Sequence, residues 1–341
     1  FKQKTAYEIS LGLVGSEMCI RDRRCLPHTI VYRQLSQWHE VSDAIRSMVV
    51  RGAPAIGVAA AWGVVLAAQA GEDLDQAIAG LRASRPTAVN LSWALNRMQS
   101  SAGAIGPVDV HELERLAAAI EAEDRALTQA LVNHGVGVLP HGCRALHHCH
   151  TGAIATAGVG TALGVIVAGH QRGVLKHAWL DETRPRLQGA ALSAWELACC
   201  GVPSTVIVDG ASGLLMRRGQ VDVVLVGCDR VAGNGDVANK IGTYNLALAA
   251  RAHGLPFYVC APSSSIDITT VNGDAITIEE RSEDEITHFQ GEPVCALGVR
   301  AWNPAFDITP AHLITGLITE FGVIRSPSRG SLAALPLANY R

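Results

Sequence analysis

After GVGVLPHG (135–142), short apolar runs alternate with helical stretches, and that alternation constrains the fold more than any other feature of the chain. RALHHC, KHAWL, STVIVD, DVVLVGCD and PFYVCAP read as strands. AALSAWELACCG and DVANKIGTYNLALAARAHG read as helices between them. Strand–helix–strand repetition implies βαβ units and a parallel sheet. Before residue 135 the rhythm is helical. HEVSDAIRSMVV (39–50) carries Val41, Ala44, Ile45, Met48 and Val49 at a 3.6-residue period. EDLDQAIAGLRAS (72–84) repeats the period behind an acidic first turn, and VDVHELERLAAAIEAEDRALTQALVNHG (108–135) is long, amphipathic and ends at glycine. The expected architecture is α/β. A mainly helical N-terminal domain (24–140) is followed by a Rossmann-like parallel-sheet domain (141–341).

The first stretch, FKQKTAYEISLGLVGSEMCIRDR, does not lead smoothly into the residues after it and resembles a translated sequencing adaptor. Residues 1–23 are read as foreign and set aside from the fold. A length of 341 residues suits two domains. With 48% hydrophobic and 17% charged residues, disorder of the whole chain is excluded. A net charge of −3 leaves no basic footprint for nucleic acid. The cysteine count is nine, odd and irregularly spaced, which suits a reduced, cytoplasmic compartment rather than a disulfide framework. The apolar run APAIGVAAAWGVVLAA (53–68) falls short of a membrane span, which needs about 20 residues, and reads as a tightly packed buried helix.

In such sheets ligands bind beyond the carboxyl ends of the strands. Cys149, the DETR segment (181–184), Asp209, Asp229 and Arg230 all fall there. HCHTG (148–152) admits three readings. As a metal site it fails, because consecutive strand residues point to opposite faces and no second cluster supplies ligands. As a nucleotide loop it fails, because GVGTALG (158–164) has the wrong spacing and lies within a helical pattern. As a reactive cysteine, Cys149 sits where a strand gives way to a helix start, whose N–H groups favour a thiolate. The alternative is an ordinary small buried cysteine. GCDRVAGNGDVANKIGTYN (227–245) weighs against that alternative. Read as a helix, it puts Asp236, Asn239, Lys240 and Thr243 on one polar stripe, with Lys240 near an anion at the helix start. Arg51 opens RGAPAIG and Arg85 opens RPTAVNL; each suits oxyanion recognition or ordinary capping.

VVRGAPAIGVAAAWGVVLAA, RPTAVNLSWALNRM, HCHTGAIATAGVGTALGVI, DETRPRLQGAALSAWEL, VGCDRVAGNGDVANKIGTYNLALAA, ITIEERS and NPAFDITPAHLITGLITEFGVI together resemble the S-methyl-5-thioribose-1-phosphate isomerase family. That family is related to the regulatory subunits of the translation-initiation guanine-nucleotide exchange factor. The likeness spans about residues 24 to 325. It implies an aldose–ketose isomerase of methionine salvage acting on a small sugar phosphate, without metal or other cofactor, as a cytoplasmic homodimer. It implies Cys149 and Asp229 as catalytic residues, and Arg51, Gly52, Ala53, Arg85, Gln188, Asn239 and Lys240 as substrate contacts. His150 stands where Asn is usual in the family, and Cys228 where Ala is usual. Asp229 is the expected acid, protonating the ring oxygen as it leaves C1, and burial in an apolar pocket is what keeps an acid protonated. Cys149 is the base of an enediol route, or polarises the site in a hydride route. Two alternatives stand beside this: a ribose-1,5-bisphosphate isomerase, and a non-catalytic regulatory sugar-phosphate-binding protein.

Overall fold

The computed structural model describes residues 12–14, 17–86, 88–102 and 109–337. β1 (Gly12–Val14), β2 (Glu17–Arg21) and β3 (Tyr32–Leu35) form an antiparallel sheet. Met18 and Ile20 of β2 are buried in the first core. Setting residues 1–23 aside from the fold is therefore corrected for β2. Its alternation of apolar Met18 and Ile20 with polar neighbours suits a half-buried strand, whatever the source of the segment.

Five helices come next: α1 (Trp38–Arg46), α2 (Ala53–Gln69), α3 (Leu74–Ala83), α4 (Val89–Ala102) and α5 (Val110–Val136). Asp73 and Asp109 cap α3 and α5 through their carboxylates. α2 is apolar all round and buried from Ala55 to Ala67, as a helix without a polar face must be. Its neighbours α1, α3, α4 and α5 cover it.

The main sheet is built on strands that the alternation marked: β4 (Cys143–His147), β5 (Leu175–Asp181), β6 (Ser204–Ile207) and β7 (Val223–Val226). Between β7 and the next core strand, β8 (Arg230–Ala232) and β9 (Val237–Lys240) form a hairpin. Then come β10 (Phe257–Cys260), β11 (Ile266–Asp267), the small hairpin of β12 (His288–Phe289) and β13 (Glu292–Pro293), β14 (Phe306–Thr309), β15 (Gly316–Thr319) and β16 (Gly322–Arg325). The main sheet has seven strands in the order β16-β15-β10-β7-β4-β5-β6. All its pairs are parallel except β15–β16. A second, four-stranded sheet runs β11-β8-β9-β14. Helices α6 (Ala162–Gln171), α7 (Ala194–Cys199), α8 (Ser212–Arg217) and α9 (Thr243–Ala252) connect the strands. The α/β, Rossmann-like expectation holds. Among the described residues, no helix is long and apolar enough to cross a membrane.

The segment 236–245 departs from the helical reading. Val237–Lys240 is a strand, paired antiparallel with β8 and β14, and α9 begins only at Thr243. Two glycines decide this. Gly233-Asn-Gly235 makes the hairpin turn, with Gly235 at φ 93°, and Gly242 at φ 104° breaks the chain between strand and helix. The polar stripe of Asp236, Asn239, Lys240 and Thr243 is therefore not a helix face. GVG (158–160) likewise precedes α6 rather than lying inside it.

Candidate active site

The strand order sets the site. From β4 the chain lays β5 and β6 to one side, then returns to place β7 against the other edge of β4. Connections leave β4 and β7 in opposite directions, which opens a crevice at their carboxyl ends. Cys149 lies just past the end of β4, and Asp229 just past the end of β7. A cavity of about 600 Å³ lies there, a size usual for small-molecule sites. Arg51, Gly52, Ala53 and Pro54 enter it at the start of α2, and Arg85 enters just before α4. Cys149, Asp229, Asn239 and Lys240 complete the wall on the sheet side. Gln188 is the expected residue the structure does not bring to the wall. It is buried before a π-helical turn (Gly189–Ser193), and its Oε1 lacks a partner.

Gly52 explains the RGAPAIG motif. It holds φ 125°, and a Cβ there would stand 2.2 Å from the Ala155 carbonyl oxygen. Only glycine lets the α2 start close against the loop after Cys149.

The residues on either side of Cys149 are buried and hydrogen-bonded. His147 bonds the Leu225 carbonyl through Nδ1 at 2.8 Å, and burial pushes its imidazole down to about 3, so it is neutral. His148 meets the Asp181 carboxylate at 2.8 Å through Nδ1 and the Ile241 carbonyl at 2.9 Å through Nε2. Both ring nitrogens face acceptors, so both carry protons. Burial opposes that charge, but Asp181 and the neighbouring Cys149 outweigh it and lift His148 to about 9. His150 meets Glu196 at 2.6 Å, and Glu196 also accepts the Ala153 and Ile154 N–H groups.

Burial pushes the Cys149 thiol up. Arg51, Lys240 and His148, together with the His150 N–H, outweigh it and bring the thiol below its ordinary value. The helix-start explanation is thus corrected: α6 begins only at Ala162, and side-chain cations supply the field. Lys240 is buried on β9. Its ammonium donates to the Ala305 carbonyl at 2.8 Å and lies 4.4 Å from the Phe306 ring centre. Burial, then repulsion from Arg51, lower it to about 7. Asp229 is exposed rather than buried, contrary to the expectation for an acid. It lies between β7 and the hairpin and lines the crevice.

Sequence reasoning missed Glu279 of ITIEERS. It lines the cavity, bonds Arg281 at 3.0 Å and stands 3.9 Å from Arg85. Burial opposes its charge, and Arg281 and Arg85 outweigh it, holding the carboxyl below its usual range. The acidic pair in ITIEERS beside Arg281 was the available signal. Nothing in the sequence marked His150 with Glu196, because the partners are 46 positions apart.

His148, Asp181 and Asp209 each place a potential ligand atom within 4.8 Å of one another. Those atoms are already committed. Asp181 accepts from His148 and from Ser212 at 2.6 Å, and Asp209 accepts the Thr183 and Arg184 N–H groups at 2.7 Å. The cluster forms a hydrogen-bond network.

Residues 49–326 match the Initiation factor 2 subunit family. The chain belongs to this family. A methylthioribose-1-phosphate isomerase from Synechococcus sp. (strain CC9902) is 87% identical over 330 residues, covering 97% of this chain and 98% of that one. The crystal structure of 5-methylthioribose 1-phosphate isomerase from Pyrococcus horikoshii OT3 superposes with a TM-score of 0.92 at 40% identity, over 97% of this chain and 96% of that one. The translation initiation factor eIF-2B subunit delta from A. fulgidus superposes at 0.84 with 34% identity, over 96% of this chain and 100% of that one. One family fold therefore serves proteins of both names.

Proposed function

We propose that this chain is an aldose–ketose isomerase that converts 5-methylthioribose 1-phosphate to 5-methylthioribulose 1-phosphate. The observation that carries the reading is the pair Cys149 and Asp229 on one cavity at the switch point, surrounded by Arg51, Arg85 and Lys240. The 87% identity to a methylthioribose-1-phosphate isomerase selects the substrate within the family.

In this reading the cations and the first N–H groups of α2 hold the phosphate. Asp229 donates its proton to the ring oxygen as the C1–O bond breaks. Bound substrate covers this exposed carboxyl and lowers the dielectric around it. Cys149, as a thiolate, takes the proton from C2. The Cys149 thiol returns a proton to C1 of the resulting enediol as the C2 hydroxyl becomes the carbonyl and gives up its proton, which restores Asp229, so one hydrogen has moved from C2 to C1 and one from the C2 hydroxyl replaces that given to the former ring oxygen. The lowered thiol favours this proton route. On the α2 and α4 side the cavity presents Pro54, Ile56 and Ala88. An apolar wall there suits a methylthio group at C5 better than the second phosphate of ribose 1,5-bisphosphate. The enzyme reading also includes a homodimer in the cytoplasm and a division into a helical part (24–140) and a sheet part (141–341).

The test is turnover of 5-methylthioribose 1-phosphate and ribose 1,5-bisphosphate by the purified chain at equal concentration. A strong preference for the methylthio sugar is expected. Preference for the bisphosphate replaces the substrate, and turnover of neither favours the regulatory, non-catalytic reading.

A further inference from the structure

Cys149 has a left-handed backbone, with φ 67°. Non-glycine residues avoid this region unless their surroundings over-determine it. Two hydroxyls do so here. The Cys149 N–H donates to Thr183 Oγ1 at 2.8 Å, and Ser193 Oγ donates to the Cys149 carbonyl at 2.8 Å. Thr183 is itself left-handed, at φ 65°, which is unusual for a β-branched side chain. It is fixed in turn. Its N–H donates to Asp209 at 2.7 Å, and its hydroxyl donates to the Asp181 carbonyl at 3.0 Å. Ser193 closes the π-helical turn Gly189–Ser193, an irregularity common near functional sites. Both residues are 0% exposed and neither lines the cavity. They act on substrate only through Cys149.

The left-handed turn has a chemical effect. A continued strand would carry the chain on along β4. The turn instead leaves Cys149 on the cavity wall that Arg51 and Lys240 also line. We propose that Thr183 and Ser193 are positioning residues, whose hydroxyls clamp the Cys149 peptide from both sides and hold the thiol in its left-handed turn, on the wall shared with the cations of the cavity. The proposal rests on the reading of Cys149 as the reacting thiol. Arg51 just before α2, Lys240 on β9 and His148 in the same loop act on the sulfur, and the clamp sets where the thiol stands among them.

The test measures alkylation of Cys149 by iodoacetamide against pH, read by mass spectrometry of the Cys149 peptide, beside kcat and KM. Iodoacetamide reports the thiolate. Thr183→Val keeps the shape and removes the acceptor; Ser193→Ala removes the second hydroxyl. Each should move the alkylation midpoint to higher pH and lower kcat about ten- to a hundredfold, with KM changed by less than about twofold. Thr183→Ser should restore both readouts. A wild-type profile and wild-type kcat in Thr183→Val and Ser193→Ala overturn the proposal, as does a Thr183→Ser variant as impaired as Thr183→Val. If Thr183→Val does not fold, Ser193→Ala decides. Undiminished turnover in Cys149→Ser would remove the catalytic reading alone, since the alkylation profiles still report the clamp.

Discussion

Lys240 combines two properties that pull apart: it is almost wholly buried, and it stands among other cations. Its ammonium is held by one carbonyl and an aromatic ring, so a bound phosphate would be its natural counter-ion. Lys240→Met should raise KM about ten- to a hundredfold, the worth of a charge-assisted hydrogen bond, with a smaller effect on kcat. Because Lys240 loses its proton above about 7, wild-type KM should climb as pH rises through that value, and the variant should lack the climb. Steady-state kinetics across pH 6 to 9 checks both. His148 gives the opposite sign. Its folded value, about 9, lies above the ordinary 6.5. The folded state therefore binds the extra proton, and the stabilisation is complete below 6.5 and lost as pH rises through 9. The difference in melting temperature between wild type and His148→Gln should be largest near pH 6 and shrink above pH 9. A constant difference would mean that folding leaves the proton affinity of the imidazole unchanged.

Among the elements, α2 shows why a glycine outside any helix governs the site. Its N-terminus contributes Gly52, Ala53 and Pro54 to the cavity and abuts the turn Ala153–Ala155. Gly52→Ala puts a Cβ against backbone at a φ that alanine resists, and strain of this kind costs about 1–3 kcal/mol. Thermal unfolding should register that loss, and kcat should fall because Cys149 lies on the displaced loop. Unchanged melting would show that the α2–loop contact gives way freely. The same scale shows what was legible. The helices α1, α3 and α5 can be read from periodicity, because burial of one face imposes the period, and the strands β4, β5, β6, β7 and β10 from the short apolar runs between helical stretches. β9 could not. VANK carries no alternation of apolar and polar residues, all four positions are buried, and only its pairing with Phe306–Thr309 makes it a strand. Long-range pairing of that kind leaves no local mark. Of the cavity residues, Cys149 and Asp229 were legible as strand ends, and Arg51 and Arg85 as basic residues opening apolar segments. Glu279 and the clamp on Cys149 were not, since their roles come from partners distant in sequence, and the exposure of Asp229 depends on where the hairpin leaves the sheet.

For the whole molecule, an apolar set stands exposed around the β12–β13 hairpin: Phe289, Val294, Leu297, Val299 and Trp302. Isolated exposed hydrophobics are ordinary, but a run of them in one short segment suits an interface. Light scattering at micromolar concentration should give the mass of a dimer of this 35.9 kDa chain. A monomer mass would remove the dimer from the account. The central claim concerns the crevice where the two halves of the sheet part, and it is tested most directly by turnover. With 5-methylthioribose 1-phosphate, the purified chain should form the 5-methylthioribulose product, and Cys149→Ser and Asp229→Asn should each lower kcat by at least about a hundredfold while melting as the wild type does. Wild-type kcat in either folded variant would contradict the account for that residue, and wild-type kcat in both would contradict it altogether.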